Sequence, residues 1–264
     1  MGKRIYIFMI MALLYLPVAI VIIYSFNASK SGAVWTGFTL DWYSAAARDG
    51  RLIDSLLMSL EIAFFTCIIS CVLGTMGAVG AARMRPRAKQ AASLFMYISL
   101  IIPEIILGVA LLMFFSVLNV RYGVMTMVLS HTTFCVPYVF IMVSIRLRAV
   151  DPSFIEAARD LGAKPFKAFA SITLPIIMPA IASGALISMA MSLDDVVISS
   201  LVSGPQSVTL PMRIYSMLRL GVTPEINALS TVLVFVMFML VGLLQFVQAG
   251  RRSERAAKKE ARNA

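Results

Sequence analysis

The sequence predicts an all-α membrane protein with six transmembrane helices and both termini on the cytoplasmic side. The chain has 264 residues, of which 60% are hydrophobic and only 14% are charged. Its mean hydropathy is +0.89, and several apolar runs reach the roughly 20 residues that a helix needs to cross a bilayer. The Lys and Arg residues cluster between alternate runs, a pattern typical of membrane topology. Together these observations exclude an ordinary soluble domain.

Six apolar runs follow one another along the chain. The first exceeds the usual core of a signal peptide and lacks a convincing small-x-small cleavage site, which indicates an uncleaved span. The polar segment 27–54 after it carries Trp35, Trp42 and Tyr43, residue types that favour a membrane–water interface. In the second run, Gly74, Ala78 and Ala82 repeat every four residues, and small residues at that spacing allow close helix contact. We expect spans at residues 5–26, 55–82, 93–118, 123–145, 176–200 and 226–249.

The basic residues orient these spans. With a cytoplasmic N-terminus, the inside segments hold 17 of the 23 Lys and Arg residues and the outside loops hold six. This excess predicts that both termini and the segment 151–175 are cytoplasmic. The net charge of +10 then reflects topology, and no nucleic-acid partner is predicted. The predicted organisation is a first helix with a periplasmic loop (1–54), a transmembrane domain (55–249) and a cytoplasmic basic tail (250–264).

The polar segment 151–175, which lies between two apolar runs, has the pattern of a helix, a glycine turn and a second helix. Asp151 and Pro152 suit the start of a helix, and Gly162 suits the left-handed residue after its last turn. A second short helix is expected to begin at Pro165, and Pro175 is expected to mark the entry to the next span. One apolar stripe is formed by Phe154, Ile155, Ala158 and Leu161.

From the pattern alone, this segment has two interpretations. It fits an amphipathic loop that lies on the membrane surface. It also has the outline of a DNA-binding helix-turn-helix, but a position between membrane spans argues against that function.

Four carboxylates fall within the predicted spans, namely Glu61, Glu104, Asp194 and Asp195. A charged aspartate at the centre of a bilayer costs about 2.5–3.5 kcal/mol, so these groups should face protein, water or a cation. Glu61 and Glu104 are the weaker candidates for function, because a carboxylate near the end of a helix is readily solvated. Pro103, beside Glu104, is expected to break the third span locally.

A polar stripe is predicted on the fifth span, because its small and hydroxylated residues recur at steps of three and four. The stripe consists of Gly184, Ser188, Ser192, Asp195 and Ser199. Such a stripe lines either a substrate path or a seam between helices. Asp194 is expected about 100° away from it on the same helix. The predicted substrate path comprises Asp195, Asp194, Ser192, Ser188, Ser199 and Glu104.

Enzyme signatures are absent from the sequence, which has no P-loop, zinc-protease helix or nucleophile elbow. We therefore expect a non-catalytic chain that does not hydrolyse ATP and needs no cofactor or metal. The three cysteines all lie in apolar runs, where small buried hydrophobes are expected. His131, the only histidine, fits a hydrogen-bonded structural role better than a transport role.

The loop sequence also resembles a known family. Glu156-Ala157-Ala158, three residues, Gly162, nine residues and Ile172-x-Leu174-Pro175 together resemble the EAA loop of ABC importer permeases. The resemblance implies a type I (MetI-like) permease fold with a cytoplasmic loop whose helix fits a cleft on the ATP-hydrolysing subunit. It assigns to that coupling role Glu156, Ala157, Ala158, Gly162, Ile172, Leu174 and Pro175.

Further motifs resemble the spermidine/putrescine branch of these permeases. They are Tyr24-Ser25-Phe26-Asn27, Phe38-Thr39-Leu40, Ser192-Leu193-Asp194-Asp195, Ser203-Gly204-Pro205, Thr209-Leu210-Pro211 and Pro224-Glu225-Ile226-Asn227-Ala228. This branch implies polyamine uptake across the bacterial inner membrane, with the chain forming half of the pathway. The implied partners are a second homologous permease, an ATPase homodimer and a periplasmic substrate-binding protein, all acting at the lipid bilayer.

Alternatives to polyamine import differ in the solute or in the energy source. Related branches for ferric iron, thiamine, phosphonate or opine-type solutes share parts of these patterns. An autonomous ion-coupled transporter would use Asp194, Asp195 and His131 as a relay. That class predicts inverted repeats with broken helices in both halves, and the sequence shows no convincing internal repeat. A scaffold without transport activity would leave the loop pattern unexplained.

Overall fold

The computed structural model describes residues 2–29, 34–151, 153–220, 224–236, 238–239 and 242. Within these residues the secondary structure is helical, apart from an isolated β-bridge between Asn27 and Phe38. The helices are α1 (Gly2–Tyr24), α2 (Asp41–Arg48), α3 (Gly50–Ala82), α4 (Pro86–Ile101), α5 (Glu104–Val117), α6 (Val124–Arg148), α7 (Ser153–Asp160), α8 (Pro165–Ala168), α9 (Leu174–Asp194), α10 (Val197–Val202), α11 (Leu210–Leu220) and α12 (Pro224–Val236). A π-helical segment, Phe169–Thr173, joins α8 to α9.

Four helical stretches are long and apolar enough to cross a membrane. They are Arg4–Tyr24, Gly50–Ala82, Val124–Arg148 and Pro165–Asp194. The pair α4 and α5 makes a fifth span if it is counted as one bent element. The all-α membrane class is therefore confirmed, but six spans are not. The sixth predicted span, 226–249, begins in the apolar helix α12, and most of its second half lies outside the described residues.

The third predicted span, 93–118, is divided into two helices that meet at 103°. The break falls at Pro103, as expected, with Ile102 at φ −63°, ψ 126° and Pro103 at φ −56°, ψ 135°. Proline has no N–H to donate and disfavours the helical conformation of the residue before it, which explains the break. Glu104 consequently lies in the first turn of α5.

The second loop helix starts at Pro165 as predicted, but it is not a separate short helix. It continues through the π-helical segment into α9, so that one helical stretch runs from Pro165 to Asp194. Pro175 therefore lies inside a helix and does not mark its start. The proline ring would clash with the carbonyl of Ser171 in a regular α-helix, and the wider π turn before it gives the ring room.

The fifth predicted span, 176–200, is wrong at both ends. The helix begins earlier, and α9 stops at Asp194 because Asp195 is extended, with φ −69° and ψ 127°. Two residues later α10 begins. The predicted polar stripe is therefore shared between two helices and the break between them.

The chain divides into two compact units, residues 56–212 and residues 1–55 together with 213–264. In the first unit, α6 lies between α3 and α9, and Val139 on α6 is fully buried. A Cβ added at Gly74 of α3 would lie 2.6 Å from Val139 Cβ, and one added at Gly184 of α9 would lie 3.0 Å from Val139 Cα. Close contact at the predicted small-residue repeat of α3 is thereby confirmed, and Ala78 of that repeat is also buried.

The second unit contains α1 and the segment that follows it, which is organised around the buried side chain of Asn27. Asn27 Nδ2 donates to the carbonyl of Val34 at 2.9 Å, and Asn27 Oδ1 accepts the N–H of Thr36 at 3.0 Å. Trp42 Nε1 donates to the carbonyl of Asn27 at 2.8 Å, which ties α2 to the end of α1. The aromatic residues of this predicted outer loop therefore belong to an ordered turn.

Substitution of Gly74 by alanine should destabilise the protein. The new methyl group would meet both Val139 Cβ and, at 3.0 Å, the backbone nitrogen of Phe140. Forcing apart such a contact costs about 1–3 kcal/mol. Gly80→Ala is the matched control on the same helix, because its Cβ would meet nothing within 4 Å. Thermal unfolding of the detergent-purified variants measures the difference, and equal melting temperatures would contradict the close-packing role.

Candidate functional site

The loop helix α7 has defined hydrogen bonds at both ends. Asp151 Oδ1 accepts the backbone N–H of Ser153 at 3.0 Å, which lowers the pKa of the Asp151 carboxyl group. At the other end, Gly162 has φ +82°, its N–H donates to the carbonyl of Arg159, and the N–H of Ala163 donates to the carbonyl of Ala158. This pair of bonds is a Schellman motif. The predicted cap and left-handed glycine are both confirmed.

The outer face of this loop is apolar and exposed. Phe154 is 59% exposed, Leu161 is 90% exposed and Phe166 is 81% exposed. Residues of α7 are exposed or half-buried, and none is buried. Glu156 lies exposed in the first turn of α7, and its side chain makes no hydrogen bond or ion pair to any residue that the structure describes. An exposed apolar patch on an ordered helix is typical of an interaction surface.

The inner side of the loop rests on the helical bundle. α7 packs against α8 and the π-helical segment, which brings Glu156-Ala157-Ala158 close in the fold to the segment that carries Ile172. Leu174 and Phe169 pack on a buried cluster that includes Ile177 of α9 and Val143 of α6. Arg146 Nε, near the end of α6, donates to the carbonyl of Ile176 at 3.1 Å. The seven predicted coupling residues thus lie on successive elements that contact one another, with Gly162 in the turn after α7 and Pro175 exposed on α9.

A second candidate site surrounds His131, whose side chain is fully buried in α6. His131 Nδ1 is hydrogen-bonded to Ser192 Oγ of α9 at 2.7 Å, and His131 Nε2 is hydrogen-bonded to Ser199 Oγ of α10 at 3.0 Å. Asp195 Oδ2 lies 3.3 Å from His131 Nε2. We call His131, Ser192, Asp195 and Ser199 the buried polar cluster. The hydrogen-bonded role predicted for the histidine agrees with this geometry.

Both oxygens of the Asp195 carboxylate accept hydrogen bonds from residues that the structure describes. Asp195 Oδ1 accepts the N–H of Ile198 at 3.2 Å, and Asp195 Oδ2 accepts the N–H of Ser199 at 2.7 Å. These donors belong to the first turn of α10, where backbone N–H groups have no partner within the helix. Asp195 is only 8% exposed. Its carboxylate therefore satisfies the broken backbone as well as the imidazole.

The remaining residues of the predicted substrate path divide into a buried one and two exposed ones. Ser188 is buried one turn before Ser192, and its backbone carbonyl accepts the thiol of Cys135 at 3.5 Å. Asp194 and Glu104 are exposed, and neither side chain has a hydrogen bond or ion pair within the described part of the chain. The structure thus gathers Ser192, Ser199 and Asp195 but leaves Asp194 and Glu104 outside the cluster.

The contact between His131 and the serine stripe was not predicted from the sequence, because the two were interpreted separately. A fully buried imidazole has two nitrogens that need partners. The stripe supplied hydroxyl groups at helical spacing on another span. Pairing the sole histidine with that stripe was the available signal.

The fold defines a multi-pass helical membrane protein with an exposed apolar loop between two of its spans. The family described as "Binding-protein-dependent transport system inner membrane component" matches residues 70–254. This match covers more than half of the chain, and the chain therefore belongs to that family. It is a multi-pass inner-membrane subunit of a partner-dependent ABC transport system.

Curated relatives match over most of their length. The chain is 39% identical over 245 residues to the spermidine/putrescine transport system permease protein PotC of Haemophilus influenzae, covering 93% of this chain and 95% of that protein. It is 40% identical over 238 residues to PotC of Escherichia coli K12, covering 90% of each. It is 43% identical over 241 residues to the putrescine transport system permease protein PotI of Escherichia coli K12, covering 89% of this chain and 84% of that protein.

Solved structures share the fold at lower identity. A chain of a bacterial ABC transporter involved in the import of the acidic polysaccharide alginate superposes with a TM-score of 0.73 at 14% identity, covering 94% of each chain. A chain of the inward-facing MetNI methionine ABC transporter superposes with a TM-score of 0.62 at 24% identity, covering 78% of this chain and 95% of that chain. The expected MetI-like permease fold is thereby confirmed.

Proposed function

We propose that this chain is a permease subunit of an ABC importer for polyamines of the spermidine/putrescine type. The observation that carries the proposal is the 39–43% identity to spermidine/putrescine and putrescine permeases over about nine-tenths of the chain. A diammonium or triammonium solute requires carboxylates along its path, and Asp194, Glu104 and Glu61 are exposed carboxylates on membrane helices among the described residues; Asp194 and Glu104 also adjoin a break in a helix. A neutral solute would have little use for either carboxylate.

The proposed complex contains a second homologous permease, an ATPase homodimer and a periplasmic substrate-binding protein. The chain forms half of the membrane pathway, and ATP hydrolysis resides in the partner ATPase. In this arrangement residues 1–54 supply the first span and a periplasmic loop, 55–249 the transmembrane domain and 250–264 a cytoplasmic tail. Both termini and the loop 151–175 face the cytoplasm, as the distribution of basic residues indicates.

We assign the docking of the ATPase to the exposed face of α7 and the turn after it. Burying an exposed Leu or Phe side chain contributes about 1.5–3 kcal/mol, so Phe154, Leu161 and Phe166 together offer enough free energy for a specific contact. The bonded ends of α7 fix the direction of this face before a partner arrives. Preorganisation of this kind reduces the entropy lost on binding.

Substitutions in the coupling loop should disconnect ATP hydrolysis from transport. Glu156→Ala removes an exposed carboxylate that has no described partner, and Gly162→Val places a β-branched residue at φ +82°. We expect stimulation of the ATPase by loaded binding protein to fall towards the basal rate in the reconstituted complex. Gly80→Val is the control, because that glycine is exposed and has open space. Normal stimulation in both loop variants would contradict the coupling role.

The solute-facing carboxylates are assigned to Asp194 and Glu104. Both are exposed on helices that end or begin at a break, where solvation and partner contacts are available. Asp195 was predicted to line the path as well, but its carboxylate is engaged by two backbone N–H groups and His131.

Neutralising the exposed carboxylates should slow polyamine uptake. Glu104→Gln and Asp194→Asn keep the shape and remove the charge, so each should lower the rate about fivefold, since a screened carboxylate–ammonium contact contributes on the order of 1 kcal/mol. Uptake of radiolabelled spermidine and putrescine by proteoliposomes measures this effect. Asp54→Asn, an exposed carboxylate in the second turn of α3, is the control. Equal uptake in all variants would remove both residues from the path. Failure of the wild type to take up either solute would overturn the polyamine assignment.

A further inference from the structure

The break between α9 and α10 is bridged by residues of the buried polar cluster. The imidazole of His131 contacts Ser192 before the break and Ser199 after it, and Asp195 lies within the break. Each of these side chains is at least nine-tenths buried. One side chain of α6 therefore holds two separate helices.

The carboxylate of Asp195 is almost inaccessible to a cationic solute, because the residue is only 8% exposed. Both carboxylate oxygens accept N–H groups of α10, and one of them also faces the imidazole. Oδ1 accepts only one hydrogen bond, but an ammonium group would have to lose most of its hydration to reach it in this buried position, which is costly. The geometry therefore separates Asp195 from the exposed carboxylates of Asp194 and Glu104.

The far end of α10 is also tied to α6. Thr126 Oγ1, in the first turn of α6, donates to the carbonyl of Val202 at 2.8 Å, and Thr126 is fully buried. The short helix α10 is thus held to α6 at its start by His131 and at its end by Thr126. Its position depends on both contacts.

The helix α5 packs closely against α10. A Cβ added at Gly108 of α5 would lie 2.7 Å from Leu201 Cδ1 and 3.5 Å from Ile198 Cα, so the two helices are in close contact. Gly108 lies four residues after Glu104, on the same face of α5. Ile198 lies on α10, the helix that follows Asp194 across the break. The contact between α5 and α10 therefore fixes the two helices that adjoin the exposed carboxylates.

We propose that His131 and Asp195 are positioning residues of solute transfer, which clamp α10 to α6 and thereby hold α5, which carries Glu104, and the end of α9, which carries Asp194. This proposal rests on the proposed importer function. The clamp acts through α10 and touches no solute. It gives Asp195 and His131 a defined part in transport without placing them on the path.

The test follows the spacing of α6 and α10 directly. Nitroxide labels at exposed Thr133 of α6 and exposed Ser200 of α10 report this spacing by electron paramagnetic resonance. The three native cysteines are first replaced by alanine in a complex shown to retain uptake. We expect a narrow distance distribution in the unsubstituted clamp and a broader one in Asp195→Asn, with uptake lowered about tenfold and ATP hydrolysed per solute raised.

Three further variants, one of them a control, make the outcome decisive. If Asp195→Asn does not assemble, Ser199→Ala removes one hydroxyl from His131. This variant is expected to broaden the label distance and lower uptake, each to a smaller extent. Ser183→Ala is the matched control on α9, because that hydroxyl bonds only the carbonyl of Pro179 in its own helix. His131→Gln combined with Asp195→Asn should be no worse than either change alone, as expected for residues that act as a unit.

Two results would overturn the proposal. Wild-type uptake in Asp195→Asn and Ser199→Ala would show that the clamp does not serve transport. Lowered uptake with an unchanged label distance would show that Asp195 acts on the solute directly. The label distance needs no solute, so it tests the clamp even if the wild-type complex carries something other than spermidine or putrescine.

Discussion

Polar backbone groups inside an apolar medium must find partners within the protein, and this constraint shapes the structure at each break in a helix. An unpaired N–H or C=O group in hydrocarbon costs several kcal/mol. At the break after α9, Asp195 supplies acceptors for the N–H groups of Ile198 and Ser199. Burying that carboxylate creates a second requirement, and His131 meets it. The buried polar cluster is thus the consequence of ending one helix and starting another at depth.

The two candidate sites differ in which kind of side chain is buried and which is exposed. In the cluster around His131, polar side chains are buried and paired, so the site is complete without any further molecule. In the loop, apolar side chains such as Leu161, directly after α7, and Phe166, on α8, are exposed beside a helix whose end is satisfied by hydrogen bonds. Exposed apolar surface on an ordered element favours a partner, whereas buried paired polar groups favour a fixed local geometry. The same chain therefore combines an exposed surface suited to association with a buried cluster that fixes the positions of its helices.

Local rules predicted the features that depend on one or two residues. Asp151 at the start of α7, the left-handed Gly162 and the break at Pro103 follow from the chemistry of those residues alone. The end of α9 did not follow from such rules. Apolar residues lie on both sides of the Asp194-Asp195 pair, so the apolar run continues through the break. The imidazole of α6 and the N–H groups at the start of α10, which bond Asp195, explain the break. Pro175 gave the opposite error: a helix start was predicted there, but a π turn accommodates the ring within a continuous helix. Contacts between distant segments decided both cases.

The continuous stretch Pro165–Asp194 connects the two candidate sites physically. At 1.5 Å per residue, these 30 residues form a rod about 45 Å long. Its first turns carry Ile172, Leu174 and Pro175 of the loop, and its last turn carries Ser192 and Asp194. Gly184 in its middle packs against Val139, which also contacts Gly74, so the rod is fixed to α6 along its length. In the proposed importer, a displacement of the loop by the ATPase would reach the break as a movement of α9 relative to α10. His131 contacts both helices, and this places the clamp at the point where such a movement must be resisted or transmitted.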